Sequence, residues 1–191
     1  MAGRHVALLR GINVGRAKRV AMSDLKTLVE GLGYRDVRTL LNSGNVVFSA
    51  GVAPSTAAAR IEKALAAQTG VTARVTVFTA TEIAAVVDEN PLLDVADNPS
   101  RLLVTFLREA RDRVKLVPLA KQKWDADAIA LGTRVVYVWC GNGILESRLT
   151  EALARLLGDA GTARNWATVL KLHALTSEPS RLRLRRPPLR Q

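Results

Sequence analysis

Four short stretches of this chain concentrate the side chains that could do chemistry. RGINVG, residues 10 to 15, sets Arg10 and Asn13 among glycines at the end of an apolar run. NSGN, residues 42 to 45, presents Asn42, Ser43 and Asn45 around Gly44. Further on, Asn142, Ser147 and Arg148 lie close together in sequence, as do Arg164 and Asn165 within TARNW, with Lys171 a few residues later. Guanidinium groups beside amides and hydroxyls recognise anions, phosphate above all, by charge-assisted and bidentate hydrogen bonds. RGINVG lacks the lysine and serine or threonine that end a P-loop, and its glycine spacing is not that of a dinucleotide fingerprint. Its bland alternative is a structural loop. For NSGN the alternative is a hairpin turn, and for Arg10 an ion pair with Asp24 or Glu30. Two histidines, His5 and His173, give little support to a zinc site or a Ser-His-Asp triad. Cys140 reads as a small buried residue rather than a reactive thiol. No metal or cofactor is expected, and catalytic residues stay unassigned.

These groups need elements to hold them. Residues 6 to 10 alternate in a strand whose faces are apolar until Arg10. After a loop over 11 to 21, Ser23 suits an N-cap for a helix carrying Met22, Leu25, Leu28, Val29 and Leu32 on one stripe, stopped at Gly33. Strands over 37 to 41 and 46 to 49 flank the NSGN turn, since asparagine and glycine tolerate positive φ. A helix over 54 to 68 and a strand over 74 to 79 follow. The order is βαββαβ, that of a ferredoxin-like plait. A connecting helix over 81 to 90 and a proline-containing linker over 91 to 100 lead to a second half. There the expected order is strand 102 to 107, helix 110 to 121, strands 126 to 131 and 134 to 140, helix 145 to 157 and strand 161 to 163. A final helix runs over 165 to 175, with Trp166, Val169, Leu170 and His173 as its buried stripe. Leu145, Leu149, Ala152, Leu153 and Leu156 are the inward stripe of the helix before it. The order of elements repeats, with no residue-level repeat beneath it.

The expectation is therefore an α+β protein of two ferredoxin-like halves. Residues 1–80 form the first, 81–100 the connection, 101–176 the second with its last helix, and 177–191 a disordered arginine-rich tail. Its strands are apolar on both faces and must be covered on both sides, by the other half or by a second copy in a homodimer. Plait topology puts the loop after strand one beside the NSGN turn. Asn13, Arg16, Lys18 and Arg19 then approach Asn42, Ser43 and Asn45. The same logic in the second half brings Asn142, Ser147 and Arg148 toward Arg164 and Asn165, where two helices begin and suit an anion.

Three of these stretches also carry a resemblance. ALLRGINVG (Ala7–Gly15), LNSGNVVFS (Leu41–Ser49) and TARNWATVLKL (Thr162–Leu172) together resemble the bacterial domain-of-unknown-function family 1697, over residues 4 to 176. That pattern commonly has glycine and lysine where this chain has Arg16 and Arg148. The resemblance implies an α+β fold of two plait-like halves and carries over no catalytic residues.

Composition bounds the partners. The 191 residues carry a formal charge of +11. Five arginines in the tail (Arg181, Arg183, Arg185, Arg186 and Arg190) stand against Glu178, so most of the excess lies on the body. A basic chain favours an anionic small molecule or nucleic acid. Aromatics make up only 4% of the chain, and strand one has none, which disfavours base stacking on the sheet. No apolar run reaches the ~18 residues of a membrane helix, so a cytoplasmic protein without a membrane span is expected. With no base, nucleophile or metal constellation in view, the leading function is a binding or regulatory module for an anionic, phosphate-bearing ligand. An enzyme acting on a phosphorylated or nucleotide-like substrate, and a nonspecific nucleic-acid binder using the basic surface and tail, are the alternatives.

Overall fold

The computed structural model of the chain describes residues 2–13 and 19–178. Arg16, Lys18 and the tail arginines lie outside them. Eight strands and six α-helices follow in order: β1 Gly3–Leu9, α1 Met22–Gly31, β2 Arg35–Leu40, β3 Asn45–Ala50, α2 Pro54–Thr69, β4 Val75–Thr79, α3 Ala80–Asp88, β5 Leu102–Leu107, α4 Val117–Ala120, β6 Ala128–Leu131, β7 Val135–Trp139, α5 Arg148–Leu157, β8 Gly161–Asn165 and α6 Trp166–Ser177. The strands make two four-stranded antiparallel sheets, ordered β2-β3-β1-β4 and β6-β7-β5-β8.

Alternation along the strands divides the apolar side chains among three layers. Ala7, Leu9, Val46 and Phe48 pack under α1 and α2 against Leu25, Val29, Ile61 and Leu65. The opposite face of the same sheet, Val6, Leu8, Val47 and Phe78, shares one core with Val104, Phe106 and Tyr137 of the second sheet. Helices α3 and α6 contribute Ile83, Val86, Trp166, Val169 and Leu172 to that middle layer. Phe78 meets Phe106 edge-on at 5.0 Å between centroids. The outer face of the second sheet, including Leu107, Val136 and Val138, lies under α4 and α5. Each sheet is thus covered on both faces within one chain, the other half supplying the inner cover.

Four local expectations are corrected. The residues from 110 to 121 are not one helix: a 3-10 segment, Ala110–Leu116, precedes the single α turn of α4. Pro118 cannot donate a helical hydrogen bond and is accommodated only in the first turn of a new helix. Helix α5 begins at Arg148, because Ser147 caps it by accepting from Thr150 N. Leu145 is left outside the helix and 94% exposed, not on the inward stripe. Helix α1 begins at Met22 behind Ala21, with no side-chain cap, and Ser23 instead donates to Asp24 at 3.4 Å. On α6 the buried stripe is Trp166, Val169, Leu172 and Thr176, whereas Leu170 faces outward and His173 is only half-buried.

One edge strand is finished in a particular way. The outward amides of Val75 and Thr79 in β4 donate to the carboxylates of Glu62 and Glu82, each at 2.8 Å. Both carboxylates are held in turn by arginines of the other half. Arg108 reaches Glu62 at 3.2 Å and Arg134 reaches Glu82 at 2.7 Å, with the Arg134 guanidinium 4.1 Å from the centre of the Phe78 ring.

Candidate functional site

The loop after β1 and the turn after β2 do meet. Asn13, at φ 56°, donates from Nδ2 to Asn42 O and Val20 O, both at 2.9 Å, and accepts from Val20 N at 2.8 Å. Asn45 is fully buried and donates to Leu40 O and Ser43 Oγ, both at 2.9 Å. Arg164 enters this cluster from β8. Its Nε donates to Asn45 Oδ1, Nη1 to Thr162 Oγ1 and Ala163 O, and Nη2 to Leu9 O and Ser43 O. A guanidinium has five N–H donors, and here each has a protein acceptor. Burial pushes its pKa down to about 10, so it remains charged at neutral pH. The expectation of Arg164 as a ligand for an external anion conflicts with this geometry. It joins the two halves, and Asn13 and Asn45 are likewise occupied.

The other expected cluster separates. Asn142 and Arg148 line a groove of about 560 Å³, where Lys123, Arg148 and Arg155 face Asp125, Asp127, Glu146 and Glu151. That mixture gives an anion no net attraction. Ser147 donates to Asp127 Oδ2 at 2.7 Å while capping α5, and Asn165 caps α6 by accepting from Thr168 N at 3.0 Å. Lys171 is exposed on α6 and lines no part of the groove. Arg164 does not line it either, so the proposed pairing of Arg148 with Arg164 across one edge is not formed.

Arg10 has a different setting. Gly11, at φ +68°, ends β1 and leaves Arg10 at its tip, where its backbone donates to Arg74 O at 2.8 Å. The side chain crosses to the second half, donating to Gly161 O and lying 3.5 Å from Asp159 Oδ1. Neither Asp24 nor Glu30 is its partner. Arg10, Lys63 and Arg74 line one cleft of about 780 Å³ together with Glu62 and Asp159. Glu62 is further offset by Arg108, which sits outside the cleft's wall. Among the described residues Lys63 has no acidic partner, and Arg74 keeps only a 3.8 Å contact to Glu62. This cleft, at the junction of the halves, sets three cations against two carboxylates.

The family described as "Protein of unknown function (DUF1697)" matches residues 2–137. The chain belongs to the DUF1697 family. The matched part includes Arg10, Lys63 and Arg74, while Asp159 and the TARNW block lie beyond it. A solved structure, that of conserved bacterial protein SP0830 from Streptococcus pneumoniae, is similar with a TM-score of 0.74 at 19% identity, covering 93% of this chain and 100% of that one. At this identity the likeness shows the fold. No curated protein matches.

The sequence pattern of this DUF1697 protein gave no expectation of Glu62, Lys63, Arg74 or Arg108 as site residues. A signal for part of the set is present, however. Leu9 and Arg10 donate to Gly44 O and Arg74 O at the end of β1; Leu107 and Arg108 donate to Arg134 O and Ala160 O at the end of β5. A Leu-Arg pair therefore ends the first strand of each half, and each arginine crosses to the opposite half. This short repeat, visible as LLR at 8 to 10 and FLR at 106 to 108, corrects the expectation that no residue-level repeat lies beneath the order of elements.

Proposed function

We propose that this protein is a cytoplasmic binding module for an anionic, phosphate-bearing ligand, built from two ferredoxin-like halves, residues 1–80 and 101–176, that meet at the Arg10 cleft. The observation that carries the reading is the cationic surplus there: Arg10, Lys63 and Arg74 line one cleft, and Lys63 has no acidic partner among the described residues. Guanidinium groups bind phosphate oxygens with directional hydrogen bonds, and an unpaired ammonium adds attraction without first breaking an ion pair. The site thus differs from the one anticipated around Arg164, whose donors are already used, and retains Arg10 from it.

Isothermal titration with inorganic phosphate and a sugar phosphate tests the reading. Binding should weaken about tenfold in Lys63→Glu, a loss of one favourable charge and gain of a repulsive one. Lys63 is exposed, so the variant should keep its fold. Absence of binding by the unaltered protein, or equal binding by Lys63→Glu, would overturn the proposal.

A further inference from the structure

We infer that the ligand of the Arg10 cleft carries a short branched apolar group next to its anionic group. The inference rests on the anion reading of that cleft and adds the class of ligand. Arg10 is a shared wall. On one side is the polar cleft with Lys63 and Arg74; on the other is a separate slot of about 90 Å³. Leu103, Val138, Leu153 and Leu157 line that slot, with Ala154 and Ala163 at its margin. Thr105 and Thr150 also border it, and the Thr150 hydroxyl spends its proton on Ser147 O at 2.8 Å.

One glycine of the slot's lining is fixed by close packing. Gly161 has no room for a side chain, since a Cβ there would lie 2.9 Å from Leu157 Cδ1 and 3.0 Å from Thr105 Cγ2. Its carbonyl accepts from Arg10 Nη1, which holds the guanidinium across the slot's mouth. An apolar recess of this size has room for about three water-sized groups. Water in it would find few polar partners, whereas a small alkyl group would find aliphatic walls. A guanidinium beside an aliphatic recess selects a ligand with a charged head and a short hydrocarbon branch, the usual division of labour in a small-molecule pocket. Inorganic phosphate would use only the first half of such a site.

Titration of the full chain with inorganic phosphate, methyl phosphate and isobutyl phosphate separates the two ideas. The expected result is that isobutyl phosphate binds about tenfold or more tighter than methyl phosphate, as burial of about two of its three additional carbons implies. Ala163→Leu, which places its added carbons in the slot, should erase that gain and leave methyl phosphate binding unchanged. Ala154→Leu serves the same purpose from α5 if the strand variant is unstable. Isobutyl phosphate binding no tighter than methyl phosphate, with both weakened by Lys63→Glu, would overturn this inference and leave the anion reading standing. A gain that persists in both leucine variants would also overturn it, because the alkyl group would then lie elsewhere. If no phosphate bound at all, both readings would fall together.

Discussion

At the residue scale the largest single contribution should come from Arg164. Removing its side chain leaves Asn45 Oδ1, Leu9 O and Ser43 O without a donor in a partly buried junction. Each orphaned acceptor costs about 1–3 kcal/mol, so Arg164→Ala should destabilise by roughly 3 kcal/mol or more in urea unfolding. Arg164→Lys should recover little of this, because one ammonium cannot reproduce a planar five-donor fork. Full recovery by lysine would show that charge, not geometry, is what matters there. His5 offers a second test. Burial holds its imidazole below the ordinary value, against the opposing pulls of the Gly3 carbonyl and Glu82. The unfolded chain therefore binds a proton that the folded one resists. Stability from this group is complete above a pH of about 6.5 and falls as pH drops through that value toward the lower folded pKa. Melting temperature should decline more steeply on acidification in the unaltered protein than in His5→Gln. Parallel slopes would remove His5 from the account.

At the element scale the hairpin between β2 and β3 depends on one glycine. Gly44 sits at φ +73°, and a Cβ there would lie 2.8 Å from both Ile12 Cδ1 and Leu9 Cβ. Gly44→Ala combines backbone strain with a clash in the first core, and should cost about 2 kcal/mol or more in thermal or urea unfolding. A neutral substitution would mean that the turn relaxes freely. Most elements were legible because their signals are local. Asparagine and glycine marked this turn, aliphatic spacing marked α1 and α2, and unbroken apolar runs marked β5 and β7 as doubly covered strands. The misreadings are equally local. Pro118 interrupts a stretch whose composition otherwise suits a helix, and Ser147 starts α5 three residues after the apolar pattern suggests. A period of apolar residues fixes the face of a helix better than its first turn.

At the scale of the whole molecule, the middle core is owned by neither half. Val6, Leu8 and Phe78 pack with Val104, Phe106 and Tyr137, so exposing one half strips apolar cover from the other. All three tryptophans, Trp124, Trp139 and Trp166, belong to the second half. Their fluorescence should nevertheless follow the same denaturation curve as far-ultraviolet circular dichroism, which senses both halves. Two separated transitions would mean that the halves unfold independently. This shared layer also explains why the candidate site was harder to read than the fold. Arg10 could be suspected from its place at the end of an apolar strand. Its partners Asp159 and Gly161 lie some 150 positions away, and which loop they oppose depends on how two sheets stack. Arg164 misled for the same reason: an arginine beside a helix start suits an anion until the facing half supplies its acceptors.

The contact of Arg4 with the carbonyl of Leu175 has a consequence for chain connectivity. It brings the beginning of β1 beside the last turn of α6, so the two ends of the folded body are neighbours in space. A short flexible bridge could join Glu178 to Gly3, and the chain could be opened instead among the turns at residues 97 to 100, where side chains are mostly exposed. Such a circular permutant should reach the native circular dichroism spectrum and unfold in one transition. Its failure to fold would show that the order in which the halves are made, and not only their packing, directs assembly.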